Sequence, residues 1–216
     1  RKGKVDGIFT DIVRTERMRH QGMALAYVAT TTLSWQFITN RKSRLKSLRQ
    51  LTDKMVAVSR FSATSMLSDI AVDSAGLKSD DVFRVQINNP QTRLLMLLNN
   101  EMDAALLPEP QATVARLAGH RVLMDSGKRN MHMGVLVFSG KSMKDSRQRV
   151  QIDELVRAYN QACDSINRYG IANYADVVKK YMYVGDKIVK AIPKTRFEHA
   201  ATPRAKDIDA ANVWLR

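Results

Sequence analysis

The segment Asn100-Glu-Met-Asp-Ala-Ala-Leu-Leu-Pro-Glu-Pro110 decides the fold, because Gly3-Lys-Val-Asp-Gly-Ile-Phe9 repeats its pattern earlier in the chain. Each copy places an aspartate, Asp6 or Asp103, before a short apolar strand and a helix. In both copies a glycine ends that helix 16 residues after the aspartate. The copies are 97 residues apart, which exceeds the period of a solenoid and predicts two homologous lobes. A chance similarity between two β-α-β units is the alternative.

Short apolar strands alternate with helices through the first two thirds of the chain, which predicts parallel sheets covered on both faces. From residue 149 onward only helices are expected, so the last third is helical. Strands Ser34–Thr39 and Met133–Ser139 follow the two copies, and we interpret them as the crossings between lobes. The predicted fold is therefore α/β with two similar lobes.

The composition is that of a globular protein and excludes several classes. Of 216 residues, 44% are hydrophobic and 26% charged, with too few Gly and Pro for a collagen-like or low-complexity chain. The longest uninterrupted apolar run, Met23–Ala29, is far shorter than the roughly 20 residues of a membrane-spanning helix. Cys163 is the single cysteine and the four His residues lack metal-ligand spacing, so we expect no intrachain disulfide, no metal and no cofactor.

The net charge of +14 is concentrated at the start of the chain. The first fifty residues contain eleven Lys or Arg residues and three acidic residues. Such an excess attracts any anion, including nucleic acid and anionic lipid. The most basic stretch, Arg41–Arg49, has no interleaved aromatic side chains for base stacking and no helix-turn-helix spacing. We therefore predict a solvated basic surface and no nucleic-acid partner.

Three segments resemble the type 2 periplasmic solute-binding proteins of ABC transporters, in the cluster that handles sulfonates, taurine, nitrate and thiamine pyrimidine precursors. They are the strand and helix start of Asn100–Pro110, the stretch Leu48–Ser59, and the closing helix within Ala201–Leu215. In Leu48–Ser59, Thr52 and Asp53 replace the glycine pair that is usual in the family. The resemblance implies a two-lobed type 2 periplasmic-binding-protein fold with an incomplete first lobe, because family members carry further strands and helices ahead of this segment.

The resemblance also implies a domain organisation and a location. It assigns residues 1–32 to lobe one, 33–40 to a crossing strand, 41–131 to lobe two, 132–139 to a second crossing strand, and 140–216 to a helical return to lobe one. The chain does not begin with Met, and we interpret it as a trimmed chain whose targeting segment or lipid anchor lay upstream. The expected location is the periplasm or, through such an anchor, the outer face of the cytoplasmic membrane.

In this architecture the solute lies between two lobes at the carboxyl ends of parallel strands, where helix N-termini offer backbone N–H groups. Hydroxyl and amide groups at strand-to-helix junctions can donate to a carboxylate, sulfonate or phosphate there. Each such residue, taken singly, is equally explained as an ordinary helix cap. The candidate ligand-binding residues are Thr10, Asp11, Trp35, Ser59, Phe61, Ser62, Thr64, Asn89 and Glu109.

Two of these candidates have alternatives of their own. The Glu109 carboxylate, between two prolines, either accepts an amine or ring N–H from the solute or occupies a favoured acidic position in a helix's first turn. The Trp35 ring either stacks on a flat solute or packs in the core or hinge. Asp6 and Asp103 each precede a strand, and we interpret both as structural.

The expected function is the capture of a small anionic or heterocyclic solute by hinge closure and its delivery to an ABC permease, without covalent chemistry. The alternative is an enzyme on the same fold, of the menaquinone-pathway or pyrimidine-precursor type. A third possibility is the effector-sensing domain of a transcription regulator, although the helical C-terminal portion is unlike that class. No constellation of Cys, His and Asp supports chemistry, so we predict no catalytic residue.

Overall fold

The computed structural model describes residues 5–216, in which strands and helices alternate before a helical C-terminal portion. The bounds agree with the expected elements within a few residues, and helix α5 is an addition. The strands are β1 (Gly7–Asp11), β2 (Leu25–Thr30), β3 (Gln36–Thr39), β4 (Lys54–Val58), β5 (Val82–Gln86), β6 (Ala104–Leu107), β7 (Arg121–Asp125) and β8 (Gly134–Ser139). The α-helices are α1 (Ile12–His20), α2 (Ala63–Ser74), α3 (Pro90–Leu98), α4 (Gln111–Leu117), α5 (Gly140–Lys144), α6 (Ser146–Tyr169), α7 (Ala175–Met182), α8 (Asp186–Ala191) and α9 (Ala205–Trp214).

The chain divides into two compact units. Unit 1 contains the described residues up to Leu33 together with His132–Ala175 and Lys194–Arg216. Unit 2 contains Ser34–Met131 and Asp176–Pro193. The second of these segments departs from the expected return of all residues after 140 to lobe one. Its helix α8 packs against α4, and a helical sequence pattern does not specify which neighbour a helix packs on.

Each unit is built on one sheet. Unit 1 has the strand order β1-β8-β2, with β8 antiparallel to both neighbours. Unit 2 has the order β5-β4-β6-β3-β7, in which β4 pairs parallel with β5 and β6. Strand β3 is antiparallel to both β6 and β7. The prediction of parallel sheets is therefore wrong for β3 and β8, because the β-α-β pattern predicts the direction only of strands that a helix connects.

The two copies of the repeat share the same hydrogen bonds where their helices end. In α1 the N–H groups of Gln21, Gly22 and Met23 donate to the carbonyls of residues 17, 19 and 18. In α4 the N–H groups of residues 118, 119 and 120, each 97 positions later, donate to the carbonyls of residues 114, 116 and 115. Gly22 and Gly119 have φ values of +86° and +84°, which glycine adopts without strain. These matched helix ends support the internal repeat, of which Gly3 and Lys4 lie outside the described residues.

The aspartates that open the two copies accept backbone hydrogen bonds from the C-terminal ends of β8 and β3. The N–H of Ser139, the last residue of β8, donates to the Asp6 carbonyl at 2.8 Å. The N–H of Asn40, just after β3, donates to the Asp103 carbonyl at 2.7 Å. Asp103 also accepts from the Met55 N–H through its carboxylate, at 3.0 Å. The backbone hydrogen bonds of both aspartates thus join neighbouring strands of one sheet, and the Asp6 carboxylate also accepts from Ser142 of α5 and Gln148 of α6, as expected for structural residues.

Strands β1 and β6 occupy equivalent positions in the repeat but differ in what covers them. Strand β6 pairs with β4 on the side away from β3. Among residues 5–216 no strand pairs with the corresponding edge of β1. Phe9 of β1 is 63% exposed, whereas its counterpart Leu106 is fully buried. Among residues 5–216, the sheet of unit 1 therefore has three strands and that of unit 2 has five.

The units have separate apolar cores. The core of unit 2 lies between its sheet and helices α3 and α4, and the core of unit 1 lies between β2, β8 and α6. The buried members of the first are Ile38, Ala57, Leu94, Leu97, Met102, Ala105, Leu107, Ala112 and Ala115. Those of the second are Ala29, Leu136, Phe138 and Ile152. Within residues 5–216, no helix is both long enough and apolar enough to cross a membrane.

Candidate functional site

The carboxyl ends of β4 and β5 lie side by side in unit 2. Because the strands are parallel and Val58 is opposite Gln86, the residues that follow each strand emerge at the same edge of the sheet. The Ser59 hydroxyl donates to the Asn88 side-chain oxygen at 2.8 Å, and the Ile87 N–H donates to the Val58 carbonyl at 2.7 Å. Two of the predicted strand-to-helix junctions are therefore joined directly.

Three of the predicted residues form one buried hydroxyl network at the N-terminus of α2. Ser62 is the N-cap, whose hydroxyl accepts from the Thr64 N–H at 3.2 Å and donates to the Ser59 carbonyl at 2.6 Å. The Thr64 hydroxyl accepts from the Ser59 N–H at 2.9 Å and lies 2.9 Å from the Ser62 hydroxyl. This network fixes the turn between β4 and α2, and most of its hydrogen-bonding capacity is used internally.

Phe61 presents an aromatic ring beside this network. Its backbone is in the left-handed region, with φ +51°, and its side chain is 46% exposed. A left-handed conformation is uncommon for a bulky residue and indicates a position determined by its surroundings. An accessible ring next to a helix N-terminus can contact the apolar part of a solute whose anionic end is drawn to that terminus.

The N-terminus of α3 follows β5 at the same edge. Asn89 is its N-cap and accepts from the N–H groups of Gln91 and Thr92 at 2.8 and 3.2 Å, with Pro90 at the first helical position. The Asn89 side-chain oxygen is therefore engaged by its own helix. Asn88 is exposed, and its side-chain nitrogen donates to no group among residues 5–216. The side-chain oxygens of both residues are thus engaged, and the amide nitrogens of Asn88, which the candidate set omits, and of Asn89 are the groups that can donate to a solute.

Glu109 follows β6 at this edge, but its carboxylate is engaged by α4. One oxygen accepts from the Thr113 N–H and hydroxyl at 3.0 and 2.6 Å. The other lies 2.8 Å from an Arg116 guanidinium nitrogen. Arg116 in turn donates to the Gln36 side-chain oxygen on β3, and Gln36 donates to Asp125 on β7 at 2.9 Å. The carboxylate therefore anchors a polar chain along the sheet edge, and a ligand role for Glu109 stays a prediction.

The remaining candidates have structural hydrogen bonds of their own. Asp11, in unit 1, is the N-cap of α1 and accepts from the Arg14 N–H at 3.0 Å, while Thr10 is partly exposed in β1. Trp35 precedes β3 in unit 2 with its ring buried. The backbone N–H of Trp35 donates to the Ser126 hydroxyl at 2.9 Å. Burial favours the packing alternative for Trp35, and the ligand roles of all three residues remain untested predictions.

Sequence reasoning omitted the polar chain of Gln36, Thr113 and Arg116. Thr113 and Arg116 lie three positions apart on α4, so the two share a helix face, and this spacing is a signal that the sequence contains. Gln36 reaches Arg116 only because β3 inserts between β6 and β7. No pattern in the sequence predicts that β3 inserts there.

Cys163 does not have the surroundings of a reactive thiol. It is buried in α6 and donates to the Glu198 carbonyl, with sulfur and oxygen 3.4 Å apart. Burial raises the pKa of the Cys163 thiol, and burial also raises the pKa of neighbouring Tyr159 to about 12. Because the thiolate is the nucleophilic form, a raised pKa lowers reactivity. In the part of the chain described, no group of three or more His, Cys, Asp or Glu side chains is arranged to hold a metal ion.

Solved structures with the same architecture define the class of fold. The periplasmic aliphatic sulphonate binding protein SsuA from Escherichia coli is 18% identical, with a TM-score of 0.77 over 99% of this chain and 71% of that one. The alkanesulfonate-binding protein SsuA from Xanthomonas axonopodis pv. citri, bound to MOPS, is 18% identical, with a TM-score of 0.82 over 98% and 74%. The desulfurization enzyme DSZB is 17% identical, with a TM-score of 0.61 over 97% and 77%. The chain has the two-lobed type 2 periplasmic-binding-protein fold, which occurs in binding proteins and in an enzyme.

The family follows from the sequence itself. The family model described as NMT1/THI5 like matches residues 2–169, well over half of the chain. The chain therefore belongs to the NMT1/THI5-like family. No curated protein sequence matches it.

Proposed function

We propose that this chain is the solute-binding component of an ABC importer and that the edge of unit 2 formed by the ends of β4 and β5 holds an anionic solute. The observation that carries the proposal is the N-terminus of α2, where the Ser59–Ser62–Thr64 network lies beside the exposed Asn88 amide and Phe61 ring. Helix N-termini at the carboxyl ends of parallel strands stabilise bound anions. Family membership and the shared fold support the same class of function.

The chemistry favours a solute with an anionic head and an apolar body. A sulfonate presents three acceptor oxygens, which match the Asn88 amide nitrogen and the dipole of the 12-residue helix α2. The Phe61 ring offers a contact for an alkyl or aromatic body. Two proteins with this fold are sulfonate-binding proteins by name, so sulfonates are the first solutes to test.

Delivery to an ABC permease and a periplasmic or lipid-anchored location belong to the same proposal. A binding protein that performs no covalent step needs a transport partner to make its capture productive. We expect the permease to recognise the solute-loaded chain in preference to the empty one, because solute binding favours one conformation over another.

Calorimetric titration of the full 216-residue chain with alkanesulfonates tests the proposal. We expect a measurable Kd, and we expect Asn88→Ala to weaken it about tenfold, equivalent to about 1.4 kcal/mol. Asn99→Ala is the matched control, since Asn99 is an exposed asparagine at the other end of α3. Alkylammonium ions of the same chain length are the control for charge.

Two results would contradict the proposal. Equal affinity of the Asn88→Ala and Asn99→Ala variants for the sulfonate would place the solute elsewhere. A ligand at 100 times its Kd stabilises the folded chain by about 2.7 kcal/mol, so binding raises the melting temperature. If no sulfonate, carboxylate, phosphate or heterocyclic solute in a library raises the melting temperature, the proposal that the chain binds a solute is wrong.

An enzyme on this fold is the second candidate, and the likeness to the desulfurization enzyme DSZB is the observation that favours it. The buried Cys163, with its raised pKa, does not supply the nucleophile that a thiol-dependent mechanism needs. Mass spectrometry of the bound solute after incubation separates the two functions. Recovery of the solute unchanged supports a binding protein, whereas conversion to a product would establish an enzyme.

A further inference from the structure

Helix α7 has an apolar face that nothing among residues 5–216 covers fully. No residue of this helix is fully buried. Val177 and Tyr181 lie four positions apart and therefore on the same face, with side chains 55% and 66% exposed. Met182, at the end of the helix, and Tyr183, just beyond it, extend the apolar surface, and Tyr183 is 90% exposed. We call Tyr181, Met182 and Tyr183 the aromatic tip.

The opposite face of α7 is charged and holds the tip in place. The Lys179 ammonium lies 3.0 Å from Asp176 on α7 and 3.1 Å from Asp186 at the start of α8. This double contact joins the two helices across the turn that contains Tyr183. The Lys180 ammonium lies 5.3 Å from the centre of the Tyr181 ring, so a cation accompanies the exposed aromatic surface.

The segment that carries the tip has an excess of cations. Within unit 2, Asp176–Pro193 contains four lysines and two aspartates, and both aspartates are paired with Lys179. Among the described residues, the other three lysines form no ion pair, and all three are exposed. They are Lys180, Lys187 and Lys190.

The basic stretch Arg41–Arg49 of unit 2, which we call the basic loop, adds to this charge. Helix α8 packs against α4, with Val189 buried. Arg41, the first residue of the basic stretch Arg41–Arg49, donates to the Ala118 carbonyl at the C-terminal end of α4, at 3.4 Å. Both cationic segments of unit 2 therefore border the same helix.

We propose that α7 and the aromatic tip are a contact site for the surface of an anionic lipid bilayer. Tyrosine rings prefer the headgroup region of a membrane, where an apolar ring and a polar hydroxyl are both accommodated. An amphipathic helix with lysines on its polar face and exposed apolar residues on the other lies in that interface, and unpaired cations near the surface attract anionic headgroups. This contact is separate from solute binding and from any lipid anchor.

Flotation of the full chain with phospholipid vesicles tests this proposal. We expect binding to vesicles that contain phosphatidylglycerol and about tenfold weaker binding to phosphatidylcholine alone. The triple variant Tyr181→Ser, Met182→Ser, Tyr183→Ser should lose about tenfold in partitioning onto the anionic vesicles. Phe83→Ser is the matched control, since Phe83 of β5 is a 56% exposed aromatic residue of the same unit.

A tryptophan probe distinguishes insertion of the tip from attraction by charge alone. In the Tyr183→Trp variant, fluorescence should shift to shorter wavelength when anionic vesicles are added, because the new ring leaves water. Reversing the charge of the basic loop with Arg44→Glu and Lys46→Glu should weaken binding without abolishing that shift. The proposal is overturned if the native chain does not float with anionic vesicles, if the triple variant floats as well as Phe83→Ser, or if the fluorescence of the Tyr183→Trp variant does not shift.

Discussion

Glu16 joins three parts of unit 1 through one buried carboxylate. Its first oxygen accepts from the Tyr27 hydroxyl of β2 at 2.7 Å and from Arg19 of α1 at 2.9 Å. Its second oxygen accepts from the Asn212 side chain of α9 at 3.0 Å. The Arg19 guanidinium also lies over the Tyr27 ring, 5.3 Å from its centre. The C-terminal helix is thus held to α1 and β2 by hydrogen bonds to a charged acceptor.

The carboxylate is stabilised in its ionised form. Burial alone would raise the pKa of Glu16, but the hydrogen bonds from Tyr27, Arg19 and Asn212 outweigh it and lower the pKa below the ordinary value of 4.5. Burial and the bond to Glu16 raise the pKa of the Tyr27 hydroxyl, which therefore remains a donor. Because the folded pKa of Glu16 is depressed, its contribution to stability is present above pH 4.5 and is lost as the pH falls through the folded value.

We predict that Glu16→Gln lowers the free energy of unfolding at pH 7 by about 2 kcal/mol. An amide can place its oxygen toward Tyr27 and Arg19 only by turning its own N–H groups toward the Asn212 donor. The difference from the native chain should shrink below pH 4.5, where the native carboxylate loses its advantage. Urea unfolding at a series of pH values measures both effects.

Glu154→Gln is the control for this substitution, because Glu154 is an exposed carboxylate paired with Arg157 on α6. Exposed ion pairs contribute little, so we expect a change of less than about 0.5 kcal/mol. Equal effects of the two substitutions at pH 7 would show that the buried cluster does not hold α9 in place.

At the scale of elements, the start of strand β8 depends on one glycine. Gly134 begins β8 opposite Asp11 of β1. A Cβ atom at this position would collide with the Thr31 hydroxyl and lie 2.7 Å from the Leu33 Cβ. The absence of a side chain therefore lets the chain that leaves β2 pass close to the start of β8, where the Thr31 N–H donates to the Gly134 carbonyl at 2.8 Å.

We predict that Gly134→Ala destabilises unit 1 by about 1–3 kcal/mol, the usual cost of inserting a methyl group into a filled space. Gly185→Ala is the matched control, since nothing lies within 4 Å of its added Cβ and its φ is −88°. Urea unfolding of both variants decides the matter. If the Gly134→Ala chain is as stable as the Gly185→Ala chain, the segment between β2 and β3 moves aside at little cost in free energy, and the prediction is wrong.

At the scale of the whole molecule, the two units differ in the size of their cores. Most of the buried apolar residues in the described chain belong to unit 2, whose sheet has five strands. Among the residues that the structure describes, unit 1 has a three-stranded sheet, and Phe9 and Ile8 are exposed on β1. Since apolar burial is the main source of stability, unit 1 should be the less stable unit.

The two tryptophans allow this difference to be measured, because Trp35 belongs to unit 2 and Trp214 to unit 1. We predict that a chain with Trp214 as its fluorescent reporter, made by Trp35→Phe, unfolds at a urea midpoint about 0.5 M or more below that of the Trp214→Phe chain. Far-ultraviolet circular dichroism of the native chain should then show both transitions. A single coincident midpoint for all three measurements would indicate one cooperative unit.

Local hydrogen bonding explains why much of the fold could be predicted from the sequence. The 16-residue spacing from Asp6 to Gly22 and from Asp103 to Gly119 encodes a strand, a helix and a left-handed helix end, all made by contacts between near neighbours. Ser62 and Asn89 were expected at helix starts and are N-caps, since a cap bonds to groups two or three residues away. The lobe architecture followed from the repetition of these local units.

Other features depended on the tertiary structure, because residues far apart in the chain determine them. The insertion of β3 between β6 and β7, and of β8 between β1 and β2, is decided by which sheet edges are open when the units assemble. The pairing of Glu16 with Asn212 joins residues 196 positions apart. The sequence alone determined the type and order of the elements other than α5, whereas the tertiary structure decided which strands pair and which polar groups face solvent, because a long-range contact leaves no periodic trace in the sequence.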